Sequence, residues 1–468
     1  MSDREHRIAA AVDAWAAMHR DELIRDIGEL IRIRSVVEYG ESGFPMGSGC
    51  KQAADKLIEL GERYGFQTEN DAYYCVSILS PGTAGEMGIL GHLDVVSEGK
   101  GWRFPPFEPT LQNGSLVGRG ASDCKGPLVM GLYVLRCMRD LQLPLKSSLR
   151  LIAGCDEETS MTDVLHYQQT HSLPDFTLNC DGAWAVGIGE KGILNAEIVI
   201  PLCGGNLKNI QGGTAPNAVP DEACAVLASL DETEREKIAA LCPEAVVMSS
   251  SIFIKGMSAH ASTPERGENA ILKLLSLLCD TQLPDAKTVQ KIQLILQSFP
   301  DAFGAGLRIQ HEDKHSRTTC IPTQIHMEEN SLVLHINVRS AVTQNEKMLL
   351  SSLKKRCAKL GMTVRNASFS PPRLTSTEAP EVKILLETCR EFLHASSKPY
   401  VAGGGTHSRV FPRSIPFGPL ASDPRIKRPF GGPHASHEAV FVDDLLQGIR
   451  VYVMALLRLD AYFHPDNP

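Results

Sequence analysis

Up to about residue 190 the chain alternates short apolar stretches with amphipathic ones, then changes texture, and takes the alternation up again near residue 371. Nothing else in the sequence narrows the fold as much. Residues 7–35 carry Ile8, Val12, Trp15, Leu23, Ile24, Ile27, Leu30 and Ile31 at helical spacing, and 51–64 form a second amphipathic stretch closed by Gly65. A short apolar run at 88–90 leads into a Gly-His pair; 128–138 is helical, 149–153 a buried strand and 163–169 a helix. Strands alternating with helices predict an α/β sheet with helices on both faces. After Gly189-Glu-Lys-Gly, strand-like stretches at 196–200, 250–255 and 331–338 enclose helical ones at 268–279, 287–297 and 345–360, the pattern of a self-contained α+β insertion. Beyond Pro371-Pro372-Arg373 come a helix at 382–394, a tight loop at 401–406 and a long helix at 442–459. The expected division is 1–189 with 371–468 as one discontinuous domain and 190–370 as the other, since 468 residues exceed one ordinary core.

The surface chemistry removes several partners. A net charge of −8 and a pI near 6.0 speak against nucleic acid and anionic membranes. No run approaches the roughly 18 apolar residues that a membrane-spanning helix needs, and the first residues lack the apolar stretch of a signal peptide. The 13 cysteines are irregularly spaced with no Cys-x-x-Cys pair, which predicts free thiols in a reducing cytosol.

The residues that carry chemistry follow predicted strands. In Gly91-His92-Leu93-Asp94, His92 and Asp94 project to the same side of an extended chain. Asp94 is placed to accept the N–H of a metal-bound imidazole or to pack beside the ring; a histidine with a purely local hydrogen bond has the same spacing. Asp123 lies in the glycine-rich stretch 118–126 just before a helix, where an N-cap is the alternative. Asp156-Glu157-Glu158 end an apolar strand; three acids there repel unless cations sit among them, although a solvated acidic turn reads the same way. Asp181 follows the extended stretch 176–180, and His434 lies in Gly431-Gly-Pro-His-Ala-Ser-His-Glu438 before the last helix. Ligands of open α/β sheets bind outside the carboxyl ends of the strands. Oxygen and imidazole donors suit Zn²⁺, Mn²⁺ or Co²⁺. Two cations roughly 3.5–4 Å apart need a bridging carboxylate. If Asp123 bridges, one cation takes His92 and Asp181, the other Glu158 and His434, and Glu157 is left beside the shared water.

In order along the chain, GHLDVV, GRGASDCKGP, DEETS, CDG…GEKG, SAHASTPERGENA and HASHE resemble the dinuclear zinc metallopeptidases that include carnosinases, carboxypeptidase G and succinyl-diaminopimelate desuccinylase. The long insertion and the GGGTHSR loop are most similar to PepV-type bacterial dipeptidases. The resemblance implies a zinc-peptidase-like catalytic domain with a mixed sheet flanked by helices, and an inserted lid. It implies His92, Asp123, Glu158, Asp181 and His434 as ligands of two divalent metal ions, with zinc first and manganese or cobalt as alternatives. Asp94 becomes the acid behind the ligand histidine, and Glu157 the general acid/base. His260 becomes an oxyanion-binding lid histidine, and Asn217, Arg339, Gly404, Gly405 and Thr406 contact the substrate. Cys124 departs from the pattern after the bridging acid, and Cys155 and Cys180 also flank site residues, as inert small hydrophobes or as oxidisable, soft-metal-binding thiols. His437 is an alternative to His434. The expected activity is hydrolysis of dipeptides or short peptides by a metal-bridging water with Glu157 as base; an N-acyl-amino-acid deacylase or carboxypeptidase-like amidohydrolase is the alternative. The insertion is long enough to close over its own site, so the expected state is a monomer, with a dimer as the alternative.

Overall fold

The computed structural model describes residues 2–40, 43–202, 204–393, 398–421 and 429–465. The chain divides into two compact units, one of Met1–Ile188, Thr375–Tyr400 and Gly405–Pro468, the other of Gly189–Leu374 and Val401–Gly404.

Among the described residues, the first unit is built on a six-stranded mixed sheet in the order Gln67–Asp71, Cys75–Ser80, Ser148–Gly154, Glu86–His92, Phe176–Asn179, Ser414–Pro416. The last four are parallel to one another, whereas Cys75–Ser80 runs antiparallel to both Gln67–Asp71 and Ser148–Gly154. Parallel strands are covered on both faces, so they read as continuous apolar runs rather than as alternation. Ile89, Leu90, Leu151, Ile152 and Leu178 are accordingly all buried. Ile78, Leu151 and Ile89 lie in one row across the sheet. The helices Gly47–Arg63 and Lys125–Asp140 cover that face. Gly131 lets the second of them approach closely, since a methyl group there would stand 2.9 Å from Leu151 Cδ1 and 3.1 Å from Ile89 Cγ2. On the opposite face Leu90, Ile152 and Cys75 pack against Val164 and Tyr167 of the helix Thr162–Thr170. The long helix Val442–Phe463 packs on Lys125–Asp140.

The single helix expected over 7–35 is two helices, Asp3–Met18 and Arg20–Ile31. They part at His19, whose ring stacks on Trp15 at 4.0 Å and donates from Nδ1 to the Trp15 carbonyl at 2.8 Å. Periodicity alone does not register such a break, because the apolar face continues through it. The helix expected over 382–394 is Pro380–Phe392, and its expected last residue lies outside the described ones.

The second unit is α+β. Among the described residues it carries an eight-stranded antiparallel sheet in the order Val246–Met248, Ser251–Lys255, Glu222–Leu227, Leu207–Gly212, Thr319–Glu328, Ser331–Ser340, Gly192–Pro201, Thr363–Ser370. Here alternation is explicit: Leu194, Ala196, Ile198 and Ile200 point into a core shared with Leu274 and Leu278 of the helix Ala270–Thr281 and Ile292 of Ala286–Ser298. No helix of the described residues is long and apolar enough to cross a membrane.

Candidate metal centre

Three parallel strands end side by side. Leu90 pairs with Asn179 and His92 with Gly154, so His92, residues 156–158 and Asp181 leave the sheet at one edge. His92 shares the face of Leu90 and is fully buried. Its Nδ1 donates to the backbone carbonyl of Asp94 at 2.9 Å, which turns Nε2 toward Asp123 Oδ1 at 3.0 Å. Asp181 Oδ2 is 3.9 Å from the same nitrogen.

Asp94 is bonded differently from the simplest expectation. Its carboxylate lies 3.4 Å from His92 Nδ1, but it accepts the backbone N–H groups of Glu157 at 3.2 Å and Glu158 at 2.9 Å. It thus fixes the turn that carries both glutamates. Asp156 turns away, accepting from the Tyr39 hydroxyl and the Thr162 backbone, and its own N–H donates to Asp163 at 2.8 Å.

Asp123 does not cap the helix that follows it; the N-cap is Cys124, without a side-chain bond. Its carboxylate lies between two imidazoles, Oδ1 at 3.0 Å from His92 and Oδ2 at 3.1 Å from His434 Nε2. His434 Nε2 is also 3.0 Å from Glu158 Oε2. His434 adopts a left-handed backbone (φ 62°), a strained conformation of the kind that collects at functional sites.

The electrostatics of this cluster call for cations. Burial and the neighbouring Asp181 and Glu158 push the Glu157 carboxyl well above its usual range. Burial and Asp123 push Asp181 up to about 7, and the same two causes raise Glu158. Burial opposes charge on Asp123 as well, yet the imidazoles of His434 and His92 hold its carboxyl low. His434 is carried up to about 11 against burial by Asp123 and Glu158. Glu157 Oε1 is buried with no hydrogen-bond partner among the described residues. Asp123, Glu158 and His434 offer ligand atoms within 4.8 Å of one another, as do His92, Glu157 and Glu158. Crowded carboxylates that raise one another, shared imidazoles and an orphaned oxygen fit a site for divalent cations.

Residues 88–458 match the peptidase family M20/M25/M40. The chain belongs to this family. It is a metallopeptidase-family hydrolase acting on peptide bonds. It is 31% identical over 466 residues to a Bacillus subtilis protein named "Putative dipeptidase YtjP", covering 94% of this chain and 97% of that one. It is 27% identical over 472 residues to the Beta-Ala-Xaa dipeptidase of Lactobacillus delbrueckii subsp. lactis, covering 95% and 97%. The crystal structure of human carnosine dipeptidase 1 shares the fold, with a TM-score of 0.58 at 13% identity over 97% of this chain and 99% of that one.

In this peptidase the other candidates fall as follows. His437 is engaged elsewhere: its Nε2 accepts the Arg103 backbone N–H at 2.5 Å, and its ring lies against Trp102 and Phe104. Cys124, Cys155 and Cys180 are buried free thiols. Burial pushes the Cys124 and Cys155 thiols up. Cys124 and Cys180 meet at 3.9 Å over Gly91, where a methyl group would stand 2.9 Å from Cys180 Sγ and 3.3 Å from Cys124 Sγ. Gly91 faces away from the side of His92, so the two thiols form packing beneath the candidate ligands. Cys124 Sγ nonetheless falls within 4.8 Å of a His92 nitrogen and an Asp181 oxygen.

Several residues at the centre carry no obvious sequence signal. Asn179 accepts the Asp181 N–H at 2.9 Å and donates to Thr406 Oγ1 at 3.1 Å and Ser408 Oγ at 3.0 Å. His407 is buried edge-on to His92 and pairs with Asp163 at 3.0 Å. Gly405 and Thr406 belong to the first unit, and Gly404 to the second. Glu438 and Arg119, both buried, hold the loops of Asp123 and His434. In the sequence, Glu438 closes the HASHE motif.

In the second unit, Asn217, His260 and Arg339 are gathered on one end of the sheet. The Asn217 carbonyl accepts the Ala261 N–H at 2.9 Å, and Thr319, opposite Arg339 in the register, donates from its hydroxyl to the Ala261 carbonyl at 2.9 Å. Arg339 Nη1 donates to Gly403 O at 3.2 Å. His260 Nδ1 lies 2.6 Å from the Ser262 hydroxyl and 3.2 Å from the Ser262 backbone nitrogen.

Proposed function

We propose that this peptidase is a dipeptidase working with two divalent cations, zinc by first choice and manganese or cobalt as alternatives. His92, Asp123 and Asp181 would hold one cation, and Asp123, Glu158 and His434 the other. The observation that carries this reading is the placement of Asp123 between two imidazoles with the orphaned Glu157 Oε1 beside them. When bound, the cations polarise the scissile carbonyl and acidify the attacking water.

The chain's own groups do the rest. Glu157 Oε1 takes the proton of the attacking water and passes it to the leaving amine nitrogen. Asp94 keeps Glu157 in place through its backbone N–H. His260, whose Nδ1 is engaged by Ser262, would donate from Nε2 to the developing oxyanion. Arg339 would receive the substrate carboxylate, and Asn217, Gly404, Gly405 and Thr406 the peptide backbone. The unit 189–374 would act as the lid, and the protein as a monomer.

The test is to strip the protein of metal, add back Zn²⁺, Mn²⁺ or Co²⁺ in turn, and assay free and N-blocked dipeptides, with sizing chromatography alongside. Activity restored on free dipeptides only is the expected result. Turnover of N-acyl amino acids instead assigns a deacylase, and full activity without metal overturns the reading.

A further inference from the structure

The buried carboxylate of Glu438 accepts more hydrogen bonds than any other acid around the centre, and none comes from a candidate ligand side chain. Oε2 accepts from Arg119 Nη1 at 2.7 Å and from Gly120 N–H at 3.1 Å. Oε1 accepts from Ser122 N–H at 2.9 Å, Ser122 Oγ at 3.0 Å and Asp123 N–H at 3.0 Å. The Glu438 carbonyl also accepts Gly118 N–H at 2.9 Å. Arg119 in turn spreads over the carbonyls of Ser97, Glu98 and His434, each at 3.3 Å, with its guanidinium over the Trp102 ring. Glu438 and Arg119 are 0% and 1% exposed.

A single ion pair therefore grips two loops. One carries Asp123, through its own N–H, and the other carries His434, through its carbonyl. The two proposed cation positions draw on these loops unequally. The position of His92 and Asp181 takes two ligands from strand ends and only Asp123 from a held loop. The position of Glu158 and His434 takes both Asp123 and His434 from them.

We infer that Glu438 is a positioning residue which, with Arg119, sets the affinity of the Glu158–His434 position selectively and so decides whether the second cation is retained. The inference rests on the two-cation reading above. Groups that orient ligands govern metal affinity by about ten- to a hundredfold. Glu438→Gln keeps the shape but offers one acceptor oxygen where two are used, and it neutralises the partner of Arg119.

The experiment is competition of the zinc-loaded full-length protein with a chromogenic chelator, comparing the wild type with Glu438→Gln, His434→Ala and His92→Ala. The expected result is two zinc ions in the wild type. In Glu438→Gln the ion that His434→Ala also loses should be weakened about ten- to a hundredfold, while the ion that His92→Ala loses stays within about threefold. Should Glu438→Gln lack a cooperative melt, Ser122→Ala and Arg119→Lys decide, each removing one leg of the grip and each expected to weaken the same ion. Both ions unchanged, or both weakened equally, overturns the inference. A wild type that binds no zinc overturns the two-cation reading instead.

Discussion

The two halves of the centre are held by different kinds of structure. His92, Glu157, Glu158 and Asp181 leave the ends of adjacent parallel strands, and the register of the sheet sets their spacing. Asp123 and His434 sit on loops that have no such register, and His434 itself has a left-handed backbone. Their places come from a buried ion pair, Arg119–Glu438, and the amides it gathers. Burying such a pair is costly unless its lone pairs are satisfied, and Glu438 satisfies its oxygens on the loop it orders. Side chains on strand ends are placed by the fold, whereas those on loops need an internal scaffold of their own.

The largest expected effect separates proton transfer from metal holding. Glu157→Gln should retain both cations and lose turnover by roughly 10³-fold, the range for a positioned acid/base group. Metal analysis and kcat on the same sample check it; retained activity, or loss of a cation, removes Glu157 from that role. The next effect sharpens the strand half. Asp94→Ala strips the acceptor from the Glu157 and Glu158 amides and empties the space beside His92. One of these glutamates and this histidine serve different positions, so both cations should weaken by about ten- to a hundredfold. Weakening of one alone would blur the contrast with Glu438.

The same contrast explains what the sequence made legible. Residues at strand ends announce themselves, because an apolar run followed by His or by acids is a local pattern; His92, residues 156–158 and Asp181 all fall to it. Most of the helices and the α/β alternation follow from periodicity for the same reason, whereas the mixed sheet is implied by the motif resemblance. Asp123 and His434 follow no apolar strand run, so they enter only through the ligand count of the whole set and through motif resemblance. Glu438, Arg119, Asn179 and His407 act across hundreds of residues of chain, as the Arg119–Glu438 bond does, and no local pattern encodes such a contact. In the second unit the strand Thr363–Ser370 has no apolar alternation, since it is a half-exposed edge with a polar sequence. Thr319–Glu328 does not read as one strand because Pro322 interrupts it, and there the register shifts by a bulge.

A stability test reaches the strand half from below. Gly91→Ala places a methyl group 2.9 Å from Cys180 Sγ and 3.1 Å from Leu128 Cδ1, both in tightly filled space. Overpacking of this kind should cost about 2 kcal/mol in denaturant unfolding. If the strand ends are set by the sheet, the cost should also appear as weaker binding at the His92–Asp181 position. A stable protein with unchanged zinc affinity would show that the floor beneath the ligands has slack.

The smallest effect concerns the scaffold behind the loop half. The helix that starts just after His434 and Glu438 is tied near its far end to the first helix, where Arg458 Nε donates to Glu5 Oε1 at 2.8 Å. Burial opposes charge on Glu5, but Arg458 and the Ser2 backbone outweigh it and lower its carboxyl from 4.5 to about 2. A carboxyl lowered on folding stabilises the folded state above its unfolded value, and the contribution is lost as pH falls from about 4.5 toward 2. Partial exposure screens the pair, so Glu5→Gln should cost about 1 kcal/mol at neutral pH. The wild-type and variant unfolding curves should converge as the solution approaches pH 2. Because this tie lies at the other end of the helix from His434, zinc affinity at neutral pH should not change. A selective loss of the Glu158–His434 ion in Glu5→Gln would mean that the loop half takes its position from the whole terminal helix rather than from Glu438.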